Sequence, residues 1–225
     1  MSIAYLDRGR CWTNGYWASA VIHLAAVAFD SAVLRLLSKA TLMPALAWWV
    51  RSCDGPPLLV AALFASAAGD LLMELNFVLP GMAMYAAAHA CYVALFSHGA
   101  RRRSWQVLAA YGVVYLASMV ALWPGLGVYR GPVTAYAIML TATAVTSWWY
   151  GGRAGLGGAL FLASDAMIGA GLAGHDFPLR NLLLKTAYGA GQYQIALGVL
   201  SAGSVGDQSG GSTGRPSVPV VTSSS

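Results

Sequence analysis

Long apolar stretches separated by short polar loops run from about residue 16 to residue 200. Each stretch is close to the roughly 20 residues that an α-helix needs to cross the hydrocarbon core of a bilayer. Gly, Pro, Arg or Asp bounds each one, so the pattern predicts a series of membrane-spanning helices. The clearest stretches are Pro57–Leu75, Phe77–Phe96, Trp105–Trp123, Pro132–Tyr150 and Leu156–Leu172. A further span, Thr186–Leu200, is shorter unless its start is drawn back to Leu182.

The first third of the chain is less regular. We interpret Trp17–Leu37 and Ala40–Val50 as two helices with a break near Ser38–Lys39, which brings the predicted total to eight. We expect the first helix to be retained and not cleaved as a signal peptide, because its small-residue sequence precedes the apolar stretch. His23 and Asp30 lie seven residues apart on this helix, and we interpret them as a polar packing pair on one face.

The composition agrees with a lipid environment. Hydrophobic residues make up 58% of the 225 residues and charged residues only 9%, whereas a soluble domain carries about 25% charged residues. This excludes an ordinary soluble enzyme, a disordered chain and a disulfide-rich secreted domain. The net charge of +5 does not indicate nucleic acid, because the basic residues are scattered between apolar stretches. The predicted fold class is an all-α integral membrane bundle of about eight transmembrane helices.

Charge and composition also divide the chain. We expect a cytoplasmic segment at 1–15, a transmembrane domain at 16–200, and a disordered tail rich in Gly, Ser and Pro at 201–225. Positive residues favour the cytoplasmic side of a membrane, and the triple Arg101-Arg102-Arg103 dominates the distribution. The sequence therefore predicts a multi-pass protein of the cell membrane with both termini in the cytoplasm.

Ionisable residues inside the spans are costly and usually serve a site. Asp70 and Asp165 lie well inside predicted helices, and Ser66, Asp70 and Glu74 form one polar stripe at a spacing of four. Glu74 is close to the membrane surface, where we expect it to be solvated. Two carboxyl groups meeting in an apolar environment could divide acid and base roles. Alternatively, each aspartate only makes interhelical hydrogen bonds.

Two further helices carry polar groups. His89 shares a helix face with Tyr85 and Tyr92, and Tyr188 and Gln192 are four residues apart in the last span. Each set suits a site, and each also suits a hydrogen-bonded core that joins helices.

Motifs for common cofactors are missing from the sequence. No GxSxG, HExxH, Walker loop or GxGxxG occurs in a usable context. A zinc site built from Asp70, His89 and Asp165 is chemically conceivable, but the spacing of these ligands is not diagnostic. We expect neither a metal nor another cofactor.

The stretch Leu63–Met73 reads LFASAAGDLLM and resembles the signature F-x-S-x-x-G-D-x-x-L-M of the lysoplasmalogenase (YhhN-like) family. Further motifs follow in the family's order, so the resemblance covers roughly Ser38 to Leu200. They are Gly81, Ala88-His89 and Tyr92 for the G…A-H-x-x-Y element, Gly158–Asp165 for G-A-x-x-F-x-x-S-D, Tyr188 and Gln192 for Y-x-x-x-Q, and Ser38-Lys39 with a displaced Pro44 for K-P.

The resemblance implies an eight-helix fold. Characterised members hydrolyse the vinyl ether bond of lysoplasmalogens to a fatty aldehyde and a glycerophospho-alcohol, which implies a lysophospholipid substrate here. It implies Asp70 and Asp165 as the catalytic pair, without deciding which is the acid. The residues implied to bind or orient substrate are Ser66, His89, Tyr92, Ser164, Tyr188, Gln192 and Lys39, with Lys39, Arg180 or Lys185 as candidates to hold the lipid phosphate.

Two other functions remain open at this point. A polar cavity lined by two aspartates and a histidine would also suit a proton-coupled transporter of a small solute or lipid. A binding or scaffolding protein without turnover is the third possibility. The sequence leaves the oligomeric state undetermined.

Overall fold

The computed structural model describes residues 10–210, and this range is almost entirely helical. It contains eight α-helices joined by short loops, with one short 3-10 helix before the sixth. The prediction of an all-α membrane bundle is confirmed. The helices are α1 (Arg10–Ala28), α2 (Ala32–Ser52), α3 (Pro57–Glu74), α4 (Val78–His98), α5 (Trp105–Leu122), α6 (Arg130–Tyr150), α7 (Gly152–Leu172) and α8 (Arg180–Gly210).

The helices form a closed ring with one helix outside it. Around the ring, α1 packs on α2, α2 on α3, α3 on α4, α4 on α6, α6 on α7 and α7 on α8, and α8 returns to α1. The helix left outside is α5, which contacts mainly α6 and has no buried residue. Its exposed side chains, such as Val113, Leu116 and Val120, suit contact with lipid.

Four of the described helices are long and apolar enough to cross a membrane: α3, α4, α5 and α7. Exposed Trp17, Val21, Val33 and Leu37 extend the apolar outer surface over α1 and α2. A soluble protein rarely exposes a continuous apolar surface of this kind. The chain is therefore a multi-pass membrane protein.

The predicted break in the first third is wrong. Ser38 and Lys39 lie inside α2 as buried polar residues, and the helices separate at 29–31, where Asp30 adopts a left-handed φ of +53°. Ser38 and Lys39 do not end the helix because their side chains have hydrogen-bonding partners inside the bundle. His23 Nδ1, for example, lies 2.9 Å from Ser38 Oγ. The predicted pairing of His23 with Asp30 is also wrong, since Asp30 binds Arg35 instead.

Both ends of the bundle extend past the predicted limits. Helix α1 begins at Arg10, inside the segment predicted to precede the membrane domain, and α8 continues to Gly210, into the tail predicted from residue 201. The remainder of these two predictions, residues 1–9 and 211–225, lies outside the described residues.

Glycines allow α7 and α8 to approach each other closely. A Cβ atom on Gly157 would lie 2.7 Å from the carbonyl oxygen of Gly191, and one on Gly191 would lie 3.0 Å from that of Gly157. Backbone contact of this kind is typical of packing between membrane helices, where small residues replace the missing hydrophobic driving force. This contact fixes the position of Asp165 on α7 relative to Tyr188 on α8.

Candidate functional site

Asp70 is buried on α3 with both carboxyl oxygens bonded to tyrosines. Tyr85 on α4 donates to Oδ1 at 2.7 Å, and Tyr188 on α8 donates to Oδ2 at 2.9 Å. Only 3% of the residue is exposed. The two hydroxyl donors offset part of the cost of burying a charge on this carboxyl group, and their hydrogen bonds tie three helices together at this point.

Asp165 on α7 lies at the end of a hydrogen-bonded chain. The Tyr136 hydroxyl on α6 donates to Asp165 Oδ2, and His89 Nε2 on α4 lies 3.0 Å from the same hydroxyl. His89 is fully buried, and its Nδ1 lies 3.0 Å from Thr143 Oγ1. Thr143 donates its own proton to the Met139 carbonyl oxygen at 3.1 Å, so it accepts a proton from His89 Nδ1.

This chain permits one shared proton to occupy two places. In one arrangement His89 carries a proton on each ring nitrogen and Tyr136 donates to an ionised Asp165. In the other, Asp165 is the neutral acid, and it donates to Tyr136 while Tyr136 donates to Nε2 of His89. The two arrangements differ only by shifts of protons along existing hydrogen bonds, so the chain can deliver a proton to Asp165.

A cavity of about 70 Å³ opens against Asp165. Its walls are almost wholly apolar and come from α3 to α7, and its polar groups include Asp165, Tyr136 and Tyr85. Within the described range, Oδ1 of Asp165 has no hydrogen-bond partner. Asp165 thus has one carboxyl oxygen without a hydrogen-bond partner among the described residues, and it lines an apolar cavity beside the lipid-exposed helix α5.

Tyr85 links the two aspartates. It bonds Asp70, it lines the cavity that Asp165 also lines, and it lies within electrostatic range of both carboxyl groups. Tyr136 likewise lies within range of both. The two acidic residues that the sequence places 95 positions apart therefore belong to one neighbourhood inside the bundle.

The other candidate residues divide into two groups. Tyr92 donates to Gln192 Oε1 at 2.5 Å, and Gln192 Nε2 donates to Ser66 Oγ at 3.3 Å, one helical turn from Asp70. This buried cluster joins α3, α4 and α8 next to Asp70. Ser164 lies apart from it and donates to the Leu184 carbonyl oxygen at 3.0 Å, which ties α7 to α8.

Lys39 and Glu74 form an ion pair next to Asp70. Lys39 Nζ lies 2.8 Å from a Glu74 oxygen, and Arg35 Nε lies 3.0 Å from the other. The prediction that Glu74 is simply solvated is therefore wrong, because two cations on α2 hold it. Lys39 also donates to the backbone oxygen of Asp70 at 3.4 Å, so this ion pair lies directly behind the aspartate.

No three His, Cys, Asp or Glu side chains in the described residues are grouped as ligands for a metal ion. Asp70, His89 and Asp165 bond to tyrosines and a threonine instead of converging on one point.

Sequence reasoning missed Tyr136 and Thr143, which connect His89 to Asp165. They are seven residues apart on α6 and share a helix face. That spacing was the available signal, but a tyrosine near the end of a span is usually an interfacial anchor. The sequence pattern places Tyr85 only beside His89, whereas its hydroxyl donates to Asp70.

Comparison with known proteins gives two matches. The sequence profile described as the YhhN family matches residues 34–199. The chain is also similar to the curated Homo sapiens protein named lysoplasmalogenase TMEM86B, with 34% identity over 158 residues, which cover 68% of this chain and 68% of that protein. No solved structure matches the chain. The range that the profile matches contains all the site residues described above.

Proposed function

The chain belongs to the YhhN family, and we propose that it is a membrane hydrolase that cleaves the vinyl ether bond of lysoplasmalogens. The products are a fatty aldehyde and a glycerophospho-alcohol. The observation that carries the proposal is the free carboxyl oxygen of Asp165 at an apolar cavity, with Asp70 held behind Tyr85. The human relative is named a lysoplasmalogenase, which supports the same substrate class.

Vinyl ether cleavage begins with the protonation of a carbon atom. The β-carbon of the double bond takes the proton, and the remaining cation is an oxocarbenium ion shared between the α-carbon and the ether oxygen. We assign the proton donor to Asp165, because the chain through Tyr136 and His89 can keep this carboxyl group supplied with a proton. An acid placed in this way contributes typically 10²–10⁴-fold to the rate.

Asp70 has the complementary role of a fixed negative charge. Its oxygens accept hydrogen bonds from two tyrosines, and the ammonium groups of Lys39 and Lys185 lie within electrostatic range. These four groups offset part of the cost of burying a charge at Asp70, and in the proposed reaction its carboxylate stabilises the oxocarbenium ion across Tyr85. Fixed charges in a water-poor site act more strongly than they would in water.

Water completes the reaction. It adds to the α-carbon of the oxocarbenium ion and loses a proton to Asp165, which is now the base. The resulting hemiacetal collapses when its hydroxyl proton passes to the leaving glycerol oxygen. The same exchange of acid and base roles occurs in glycosidases, whose transition state is also oxocarbenium-like.

The proposal is tested in sealed liposomes that contain the purified protein and no ion gradient. Lysoplasmalogen should yield a fatty aldehyde, and in heavy water this aldehyde should carry one deuterium next to its carbonyl carbon. A protein that releases no aldehyde but takes up solute when a proton gradient is applied would instead be a transporter.

A further inference from the structure

A second, polar cavity opens at the end of the bundle where the loops between α1 and α2, α3 and α4, and α7 and α8 meet. It measures about 280 Å³, enough for several water molecules at roughly 30 Å³ each. It is separate from the apolar cavity beside Asp165, and we call it the charged vestibule. Its lining residues are Val27, Asp30, Arg35, Glu74, Asn181 and Lys185.

One cation of the vestibule lacks a carboxylate partner within the described residues. Arg35 bonds Asp30 at 2.6 Å and Glu74 at 3.0 Å, and Lys39 bonds Glu74 at 2.8 Å. Lys185 is partly buried beside the amine of Lys39. Among the described residues, no carboxylate forms an ion pair with Lys185. Arg35 and Lys39 thus take up the two carboxylates of the vestibule, and the amine of Lys185 stays without a carboxylate ion pair among the described residues at the cavity wall.

Two nearby cations are held by other protein groups. Arg180 bonds Asp176 at 2.8 Å, and this hydrogen bond lowers the pKa of Asp176, which keeps the partner ionised. Arg180 also donates to the Met167 carbonyl oxygen at 3.2 Å. Arg130 donates to the Trp123 carbonyl oxygen at 3.1 Å and stacks on the same tryptophan. Arg180 and Arg130 are thus engaged by protein groups, whereas Lys185 has no carboxylate within ion-pair distance among the described residues.

We propose that the vestibule binds the phosphate of the lysophospholipid head group, with Lys185 as the principal cation and Lys39 beside it. The inference rests on the proposed function for the identity of the lipid. A phosphodiester carries one negative charge, and among the described residues Lys185 has no carboxylate ion pair that it would have to give up to bind it. Two adjacent ammonium groups repel each other, and an anion between them relieves this repulsion.

The spacing between vestibule and aspartates fits one lipid. Lys185 precedes Tyr188 by three residues on α8, about one helical turn or roughly 5 Å, and Tyr188 bonds Asp70. In a lysoplasmalogen, the three carbons of glycerol separate the phosphate from the vinyl ether oxygen, a comparable length. A phosphate in the vestibule therefore brings the vinyl ether to the aspartates and directs the alkenyl chain towards the apolar cavity.

Binding can be measured without turnover. The probe is a saturated 1-O-alkyl lysophospholipid, which has no vinyl ether to cleave, and the matched probe without phosphate is the 1-O-alkyl glycerol. In nanodiscs, Lys185→Gln should weaken binding of the phospholipid by about tenfold or more and leave the glycerol ether unchanged. Lys185→Arg should retain binding, and the control Arg130→Gln should match the native protein.

Two results would overturn the site. One is equal binding of the phospholipid by the native protein and Lys185→Gln, with the fold of the variant verified by its thermal unfolding. The other is binding of inorganic phosphate as tightly as the lipid, which would assign the vestibule to soluble anions.

The outcome is separable from that of the hydrolase proposal. Binding that depends on Lys185 without any aldehyde release keeps the phosphate site and rejects the hydrolase. Aldehyde release with an unchanged KM in Lys185→Gln rejects the phosphate site and keeps the hydrolase.

Discussion

Gly69 lies against the ring of Tyr85, so that a Cβ atom at position 69 would approach the ring to 2.9 Å. The absence of a side chain lets Tyr85 on α4 lie flat on α3, with its hydroxyl 2.7 Å from Oδ1 of Asp70. Glycine is therefore required at position 69 for a steric reason: it makes room for Tyr85, which holds the next residue, Asp70.

Replacing this glycine should damage both stability and activity. Gly69→Ala forces the Tyr85 ring away from α3, and overpacking of this kind costs typically about 1–3 kcal/mol. Gly112→Ala on α5 is the matched control, because nothing lies within 4 Å of its added Cβ and alanine favours helix. Thermal unfolding in detergent and aldehyde release measure the two effects. Full activity and native stability in Gly69→Ala would show that Tyr85 is not held in this way.

The proton chain predicts a specific loss in Tyr136→Phe. Without the hydroxyl, no hydrogen bond joins His89 to Asp165, since His89 Nε2 and Asp165 Oδ2 lie 3.9 Å apart, and the acid must be protonated from the surrounding water. We expect kcat to fall about tenfold to a hundredfold, less than the loss of the acid itself, with little change in KM. Tyr129→Phe removes a hydroxyl outside the site and should behave as native. A rise in KM with kcat preserved would assign Tyr136 to substrate binding instead.

The apolar cavity predicts selectivity for the alkenyl chain. Ser118 on α5 lines the cavity, and Ser118→Phe should fill part of it. The expected result is a larger rise in KM for substrates with long alkenyl chains than for those with short ones. Val120 on the same helix is 76% exposed, so Val120→Phe points to lipid and should have little effect. An equal response of all chain lengths to Ser118→Phe would show that the chain does not lie in this cavity.

The number and position of most helices could be predicted from the sequence, because the loops of a membrane bundle are short and contain recognisable Gly, Pro and charged residues. The predicted spans Pro57–Leu75 and Trp105–Trp123 end within one residue of α3 and α5. The error in the first third has a physical cause: Ser38 and Lys39 are polar, and polarity alone cannot distinguish a loop from buried side chains with partners on neighbouring helices. Only the tertiary structure supplies those partners.

Part of the candidate site could also be predicted from the sequence. Asp70 and Asp165 are costly in lipid, so their presence was informative from the sequence. The roles of Tyr85 and Tyr136, which lie between the aspartates, could not be predicted from the sequence, since tyrosine is an ordinary residue in a membrane helix. Their importance comes from which helices are neighbours, namely α3 with α4 and α6 with α7, and spacing along one helix does not contain that information.

The most direct test of the account is aldehyde release from lysoplasmalogen by purified Asp70→Asn and Asp165→Asn proteins. Each variant keeps the shape of the side chain and removes the acid or the charge, so each should lower the rate by about a hundredfold or more. Asp54→Asn, in the loop after α2 where asparagine tolerates the left-handed φ of +51°, should retain the native rate. Near-native aldehyde release by a folded Asp70→Asn or Asp165→Asn protein would contradict the proposed pair of carboxyl groups.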